Sequence, residues 1–107
     1  MKLTPRMLPL VALMAVPLLA LAGDHVIVQR GKAFSTATLK ARVGDTLTFR
    51  NEDPFVHNIF SLSDAQSFDL GTFARGETRQ VKLAHKGTVE IECAVHPEMK
   101  LVVEVTN

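Results

Sequence analysis

Short runs of alternating apolar and polar residues fill most of the chain after residue 24. Between residues 38 and 43, Leu39, Ala41 and Val43 alternate with Lys40 and Arg42, which places the two sets on opposite faces of a strand. Alternating or continuous apolar runs of similar length recur along the chain. They predict strands over residues 25–29, 38–43, 46–50, 56–62, 78–83, 89–93 and 101–105.

Turn-forming residues separate these runs. Gly44-Asp45 and the segment 85–87 each predict a tight turn, and residues 51–54 predict a loop. Residues 63–76 show no clear period, so we predict an irregular segment anchored by Phe68, Leu70 and Phe73. Short strands at regular spacing indicate an all-β fold, a sandwich or a barrel, and 107 residues leave room for one domain.

The first 22 residues have a different pattern, that of a secretory signal peptide. Lys2 and Arg6 form a basic start, residues 7–21 are almost wholly apolar, and Ala20-Leu21-Ala22 has the small-x-small pattern of a cleavage site. The alternative, an uncleaved membrane anchor, is disfavoured because the run is short for a span of about 20 residues and contains prolines. We therefore expect residues 1–22 to be a signal peptide cleaved after Ala22, and residues 23–107 to form the exported domain.

Charge and cysteine content narrow the possible functions. Loss of Lys2 and Arg6 reduces the basic residues from 12 to 10 against 11 acidic ones, so the net charge changes from +1 to −1. Nucleic-acid binding is not indicated, because the sequence shows no clustered basic segment. The single cysteine, Cys93, excludes both an internal disulfide and any Cys-x-x-Cys metal-binding motif, and an exported free thiol needs to be buried or ligated.

Cys93 opens the segment CAVHPEM, in which His96 and Met99 follow at three-residue intervals. A nucleophilic cysteine with a histidine base is one interpretation, but a domain this small has little room for a substrate cleft. A structural zinc site is another, but it normally takes four cysteine and histidine ligands. A thiolate, imidazoles and a thioether suit copper best, and two histidines with one cysteine and a weak axial methionine form the blue-copper set.

A copper site of this kind needs a second histidine. The sequence offers His25 at the start of the exported domain, His57 after a Pro-Phe loop, and His85 in a Lys-Gly turn. We favour His57, because it begins a predicted strand and is followed by Asn58, whose amide could hold the site's loops together.

At this point the sequence resembles the cupredoxin family of type 1 blue copper proteins, above all its small amicyanin-like and plastocyanin-like members. The resemblance extends from LKARVGDTLTFRNED through VHNIFS to VEIECAVHPEMKLVVEV. It implies a Greek-key β-sandwich and one copper ion per chain, bound by His57, Cys93, His96 and Met99. It also implies that the Asn58 side chain braces the ligand loop and that the Asn58 backbone amide lies near the Cys93 sulfur.

The same resemblance implies an electron carrier. His96 would lie near the surface as the electron exit, with an apolar rim of Pro54, Phe55, Val95 and Pro97 for brief docking of redox partners. We expect a monomer in the periplasm, not bound to a membrane after signal cleavage. We take the charges of Glu52, Asp53 and Glu98 to be solvated.

Two alternatives stay open. The same ligands could serve copper tolerance or delivery in the periplasm, whereas a copper enzyme is disfavoured because the chain has no His-x-His pair and no room for a second such domain. In addition, cleavage after Ala22 would leave Gly23-Asp24-His25 at the terminus. An amine, two amides and an imidazole in that order can form a square-planar nitrogen site for a second Cu(II).

Overall fold

The computed structural model describes residues 22–107, and these residues form nine β-strands and no helix. The signal peptide predicted for residues 1–22 therefore lies almost wholly outside the described residues. The strands are β1 (Asp24–Arg30), β2 (Ala33–Phe34), β3 (Thr38–Arg42), β4 (Thr46–Asn51), β5 (His57–Leu62), β6 (Ser67–Phe73), β7 (Thr78–Lys82), β8 (Gly87–Glu92) and β9 (Lys100–Thr106).

The strands form two sheets that face each other across one core. One sheet has the order β2-β1-β4-β7 and the other the order β3-β9-β8-β5-β6. In each sheet one pair is parallel, β1 with β4 and β3 with β9, and the other pairs are antiparallel. The all-β sandwich predicted from the alternating pattern is confirmed.

The core is built from the inward positions of both sheets. Its buried members are Ile27, Ala41, Leu47, Phe49, Ile59, Phe73, Leu83, Val89, Ile91, Leu101, Val103 and Val105. Burial of this apolar surface is the main favourable contribution to folding. Val43, which we predicted on the same strand face as Leu39 and Ala41, is instead 39% exposed, because strand β3 ends at Arg42 and residue 43 belongs to the following turn.

Residues 63–76 were wrongly predicted to be irregular throughout. Residues 67–73 form strand β6, which pairs antiparallel with β5 at the edge of the larger sheet. Phe68 and Leu70 alternate with polar residues, but two consecutive exposed residues, Gly71 (φ 72°) and Thr72, break the alternation before the buried Phe73. The predicted anchors Phe68, Leu70 and Phe73 all pack in or against the core.

The sheet directions bring one set of connections together at a single end of the sandwich. Strand β4 ends where β5 begins, and Asn51 pairs with the end of β1. His57 at the start of β5 pairs with Phe73 at the end of β6, and the connection between β8 and β9 comes to the same end. We call this end, with the loops 52–56, 74–77 and 93–99, the loop end. No helix within residues 22–107 is long and apolar enough to cross a membrane.

The opposite end is held together by the buried carboxylate of Asp45, which follows the turn at Gly44. It accepts hydrogen bonds from the backbone N–H groups of Gly23 at 2.8 Å and Arg42 at 3.0 Å, and it lies 2.8 Å from His25 Nε2. These hydrogen bonds, led by the one from Gly23, lower the pKa of Asp45 from 3.8 to about 2. The charged carboxylate thus connects β1 with the β3–β4 turn.

We predict that replacing Asp45 by Asn destabilises the protein by about 2 kcal/mol near neutral pH, since the lowered pKa measures how much better the folded state holds the charge. Because the folded-state pKa is depressed, this stabilisation is present above about pH 4 and is lost as the pH falls toward about 2. Urea unfolding of both proteins across this range should show that the difference in their unfolding free energies decreases as the pH falls. A difference in unfolding free energy that does not change with pH would contradict the prediction.

Candidate metal centre

Three of the four predicted copper ligands are brought together at the loop end. His57 is the first residue of β5, and Cys93 and His96 lie in the loop 93–99 between β8 and β9. His57 and Cys93 are buried, whereas His96 is partly exposed. The ligand-type atoms of these three residues all lie within 4.8 Å of one another.

The two imidazoles face each other through the same ring atom. His57 Nδ1 lies 3.2 Å from His96 Nδ1 and 3.6 Å from Cys93 Sγ. Bonds of about 2.0 Å to nitrogen and 2.3 Å to sulfur, with angles of about 110–120°, would separate such nitrogens by about 3.3–3.5 Å and a nitrogen and sulfur by about 3.5–3.7 Å. The two distances from His57 Nδ1 therefore fit a single first-row metal ion shared with Cys93 and His96, and the thiolate–imidazole chemistry fits copper.

Met99, the fourth predicted ligand, closes the same loop. Its side chain is 1% exposed, and its backbone N–H donates to the carbonyl of His96 at 2.9 Å, so that residues 96–99 form a turn. The turn places a buried thioether in the segment that carries Cys93 and His96.

Asp53, which we predicted to be a solvated charge, is a buried partner of His57. The residue is 4% exposed, and its Oδ2 lies 2.7 Å from His57 Nε2. An ionised carboxylate only accepts hydrogen bonds, so Nε2 carries the proton and Nδ1 keeps its lone pair toward His96 and Cys93. Asp53 thus fixes the tautomer and the ring orientation that metal binding requires.

Backbone amides from the β1–β2 turn stabilise the Asp53 charge. Gly31 N–H donates to Oδ1 at 2.7 Å and Lys32 N–H to Oδ2 at 3.1 Å. Burial by itself raises the pKa of Asp53, but the hydrogen bonds from His57, Lys32 and Gly31 outweigh it, and the net pKa lies below 3.8. Asp53 was missed because a loop carboxylate ordinarily faces water, and the turn that receives it lies about 20 residues away in the sequence.

Asn51 shapes the loop between β4 and β5. Its side-chain amide donates to the carbonyls of Phe55 at 2.8 Å and Phe73 at 3.1 Å, and its Oδ1 accepts from the Asp53 N–H at 2.8 Å. The buried amide therefore holds residues 52–56 in a fixed conformation and sets the position of Asp53. The sequence offered no signal for this function beyond the position of Asn51 at the end of a strand.

Asn58 braces the ligand loop, as predicted from the His-Asn pair. Its Oδ1 accepts the backbone N–H of Ala94 at 2.7 Å, which ties the loop 93–99 to strand β5 directly after Cys93. The hydrogen bonds found within residues 22–107 do not include the predicted contact from the Asn58 amide to the Cys93 sulfur.

The Phe55 ring packs on both histidines. Its centroid lies 5.3 Å from that of His57 and 5.0 Å from that of His96, and the two imidazole centroids are 4.9 Å apart. The ring thus covers the histidine pair from the side of the loop 52–56. Around it, Val56 and Val95 are 47% and 48% exposed, and Pro54 and Pro97 are also exposed.

The other histidines lie away from this cluster. His85 is exposed beyond the end of β7, and His25 is held by Asp45. In the segment Gly23-Asp24-His25, the Gly23 N–H also donates to Asp45, and residues 24–25 are paired with β4. A second Cu(II) bound there would have to displace these contacts, and it stays a prediction of the sequence.

We predict that Asp53→Ala lowers the free energy of unfolding of the copper-free protein by about 3 kcal/mol, because His57 Nε2 and two backbone amides lose a buried charged acceptor. Asp53→Asn keeps a neutral acceptor and should cost less. The control is Glu52→Ala, which removes a partly exposed partner of Arg30 and should cost under about 1 kcal/mol. Equal losses for Asp53→Ala and Glu52→Ala in urea unfolding would contradict the prediction.

The sequence matches a family of known proteins over almost all of the described residues. The profile of the copper binding proteins of the plastocyanin/azurin family matches residues 24–106. The methylamine utilization protein MauL of Methylorubrum extorquens is 32% identical over 68 residues, which cover 63% of this chain and 60% of MauL. The chloroplastic plastocyanin of Pisum sativum is 32% identical over 89 residues, which cover 71% of this chain and 52% of that protein.

The fold is also that of known copper proteins. A reduced amicyanin variant superimposes with a TM-score of 0.71 at 23% sequence identity, and the match covers 78% of this chain and 82% of the amicyanin. Matches to MauL and to the pea plastocyanin span only half to three fifths of those proteins. The cupredoxin fold and the copper cofactor expected from the sequence are confirmed by these comparisons. The chain belongs to the copper-binding plastocyanin/azurin family.

Proposed function

We propose that the protein is an exported one-electron carrier in which His57, Cys93, His96 and Met99 bind a single copper ion. The observation that carries this proposal is the convergence of one sulfur and two imidazole nitrogens within 4.8 Å, with the His57 tautomer set by Asp53. Bound copper supplies the chemistry, a one-electron change between Cu(II) and Cu(I). The chain accepts one electron from a reduced partner and passes one electron to an oxidised partner.

The protein's contribution is a rigid frame for the ligands. His57 is fixed by Asp53, and the ligand loop is fixed by Asn58 at one end and by the turn at Met99 at the other. Donors held in this way move little when the charge of the site changes. Small rearrangement favours fast electron transfer, and four protein ligands would leave a substrate no open position on the metal, which supports a carrier rather than an enzyme.

Electrons would enter and leave through His96. It is the partly exposed histidine of the pair, and it lies against Phe55 among the exposed side chains of Pro54, Val95 and Pro97. A small apolar rim of this kind suits brief docking, because weak redox encounters bury less than about 1,200 Å². The partners we propose are redox proteins that present a cofactor edge to this rim, with the carrier acting as a monomer.

We also propose that the protein is exported to the periplasm. The basic start, the apolar run and the Ala-Leu-Ala sequence at residues 20–22 support a signal peptide of residues 1–22 and a periplasmic domain of residues 23–107. A thiolate bound to copper would also explain how the single Cys93 persists in an oxidising compartment.

We predict that the purified domain with Cu(II) shows an intense visible band from charge transfer between the Cys93 thiolate and copper. Cys93→Ser should abolish the band, and Met99→Leu should shift it, because the axial ligand tunes the site. His85→Ala, at an exposed histidine, is the matched control and should leave the spectrum unchanged. Persistence of the band in Cys93→Ser would exclude the proposed ligand set.

We further predict that the copper-loaded domain exchanges electrons with ferricyanide and ascorbate many times before it loses copper to an excess of a Cu(I) chelator. A carrier keeps its metal, whereas a protein for copper delivery gives it up. Stopped-flow absorbance measures the electron exchange, and chelator colour measures the metal loss. Copper release as fast as electron exchange would favour the delivery function.

A further inference from the structure

Four cationic side chains cluster at the loop end beside the candidate copper centre. Arg30 ends β1, Arg50 lies near the end of β4, and Arg75 lies in the connection between β6 and β7. These three arginines line one surface depression together with Asn51, Glu52 and Gly76. Lys32, in the β1–β2 turn, extends the cluster, and we call the four residues the cationic patch.

The patch carries an excess of positive charge. Glu52 is the one carboxylate that lines the depression, and Arg30 and Arg50 share it, the latter with its Nε at 3.8 Å. Within residues 22–107, neither the guanidinium of Arg75 nor the ammonium of Lys32 has a side-chain hydrogen bond or an ion pair. Four cations against Glu52 leave a charge of about +3 at this surface, because the Asp53 carboxylate is turned inward to His57 and the nearby Glu77 is paired with Arg79 at 4.0 Å.

Elsewhere the charge of the domain is of the opposite sign. Residues 23–107 contain 10 basic and 11 acidic residues, so the concentration of four cations here leaves the other surfaces net negative. Exposed carboxylates project from the larger sheet, among them Asp69, Glu90 and Glu104. Glu98, in the ligand loop, is the acidic residue nearest in sequence to His96. The surface charge of the domain is therefore uneven, with the positive excess at the patch and net negative charge elsewhere.

The patch adjoins the proposed electron exit. Lys32 Nζ lies 5.8 Å from the centroid of the Phe55 ring, and the same ring lies 5.0 Å from His96. One aromatic ring thus separates a cation of the patch from the exposed histidine. A partner that covers the apolar rim on the Phe55 side would come within reach of the cations.

We propose that the cationic patch recognises redox partners whose cofactor edge is flanked by acidic residues. This inference rests on the proposed electron-carrier function and specifies the chemistry of the partner. Exposed guanidinium groups pair with carboxylates through two parallel hydrogen bonds and remain charged at any physiological pH. Opposite charges steer encounter and orient the partners, whereas the apolar rim provides close contact.

The test uses the copper-loaded domain and one partner in two charge forms. The probes are a lysine-rich cytochrome c and the same cytochrome with its lysines succinylated, and stopped-flow absorbance follows oxidation of the reduced copper protein. The succinylated form should react about tenfold faster at low than at high ionic strength, since electrostatic steering is screened by salt. The lysine-rich form should show a flat or opposite dependence on salt.

Two matched double charge reversals test whether the cationic patch causes the salt dependence. Lys32→Glu combined with Arg75→Glu should remove most of the salt dependence with the succinylated cytochrome, and it leaves the ion pairs of Glu52 in place. The control, Lys82→Glu with Lys86→Glu, makes the same change in net charge at the opposite end of the sandwich, where both side chains are exposed. The control should keep the wild-type rates within about twofold, because steering depends on charges close to the docking surface.

The outcomes distinguish failure of the proposed electron-carrier function from failure of the acidic-partner inference. If the wild-type domain shows no thiolate–copper band and no electron transfer, the proposed function itself fails. If the band and the transfer are present but the patch and control variants react alike, only the acidic-partner inference is overturned. An unchanged visible spectrum in both double variants verifies that they fold and bind copper.

Discussion

The candidate centre depends above all on the buried contact between Asp53 and His57. A carboxylate almost without solvent would be costly if its hydrogen bonds were incomplete, and here it has three, from His57 and from the amides of Gly31 and Lys32. The same contact leaves one nitrogen of His57 free for a metal. One charged group therefore stabilises the junction between β1 and the loop 52–56 and sets the chemistry of the site.

Interior residues, rather than surface residues, position the ligand segments. Asn51, Asp53 and Asn58 hold the ligand segments through buried or half-buried hydrogen bonds, so the donors are positioned by both sheets together. The outer residues around His96 make few contacts of this kind. Substitutions among the exposed apolar and cationic side chains around His96 should therefore leave the donors in place, so that the proposed docking surface could change its charge without loss of the site.

Much of the fold and of the donor set was readable from the sequence, for physical reasons. Alternation predicts strands where one face is buried, as in residues 46–50 and 89–93, and it fails at β6, where the consecutive exposed residues Gly71 and Thr72 break the pattern. The order of His57-Asn58 and the Cys-x-x-His-x-x-Met segment suggested the donors, and the structure brings His57, Cys93 and His96 together. The partnership of Asp53 with His57 was not readable, because it depends on a turn distant in sequence.

The burial of Cys93 has a consequence for the period before copper binds. The thiol belongs to a residue that is 1% exposed, packed at the end of β8 under loops that Asn58 and Asp53 hold closed. Oxidation of a thiol requires access to the sulfur. The thiol is thus most open to oxidation while the chain is unfolded, and formation of the sandwich would protect the sulfur until copper binds.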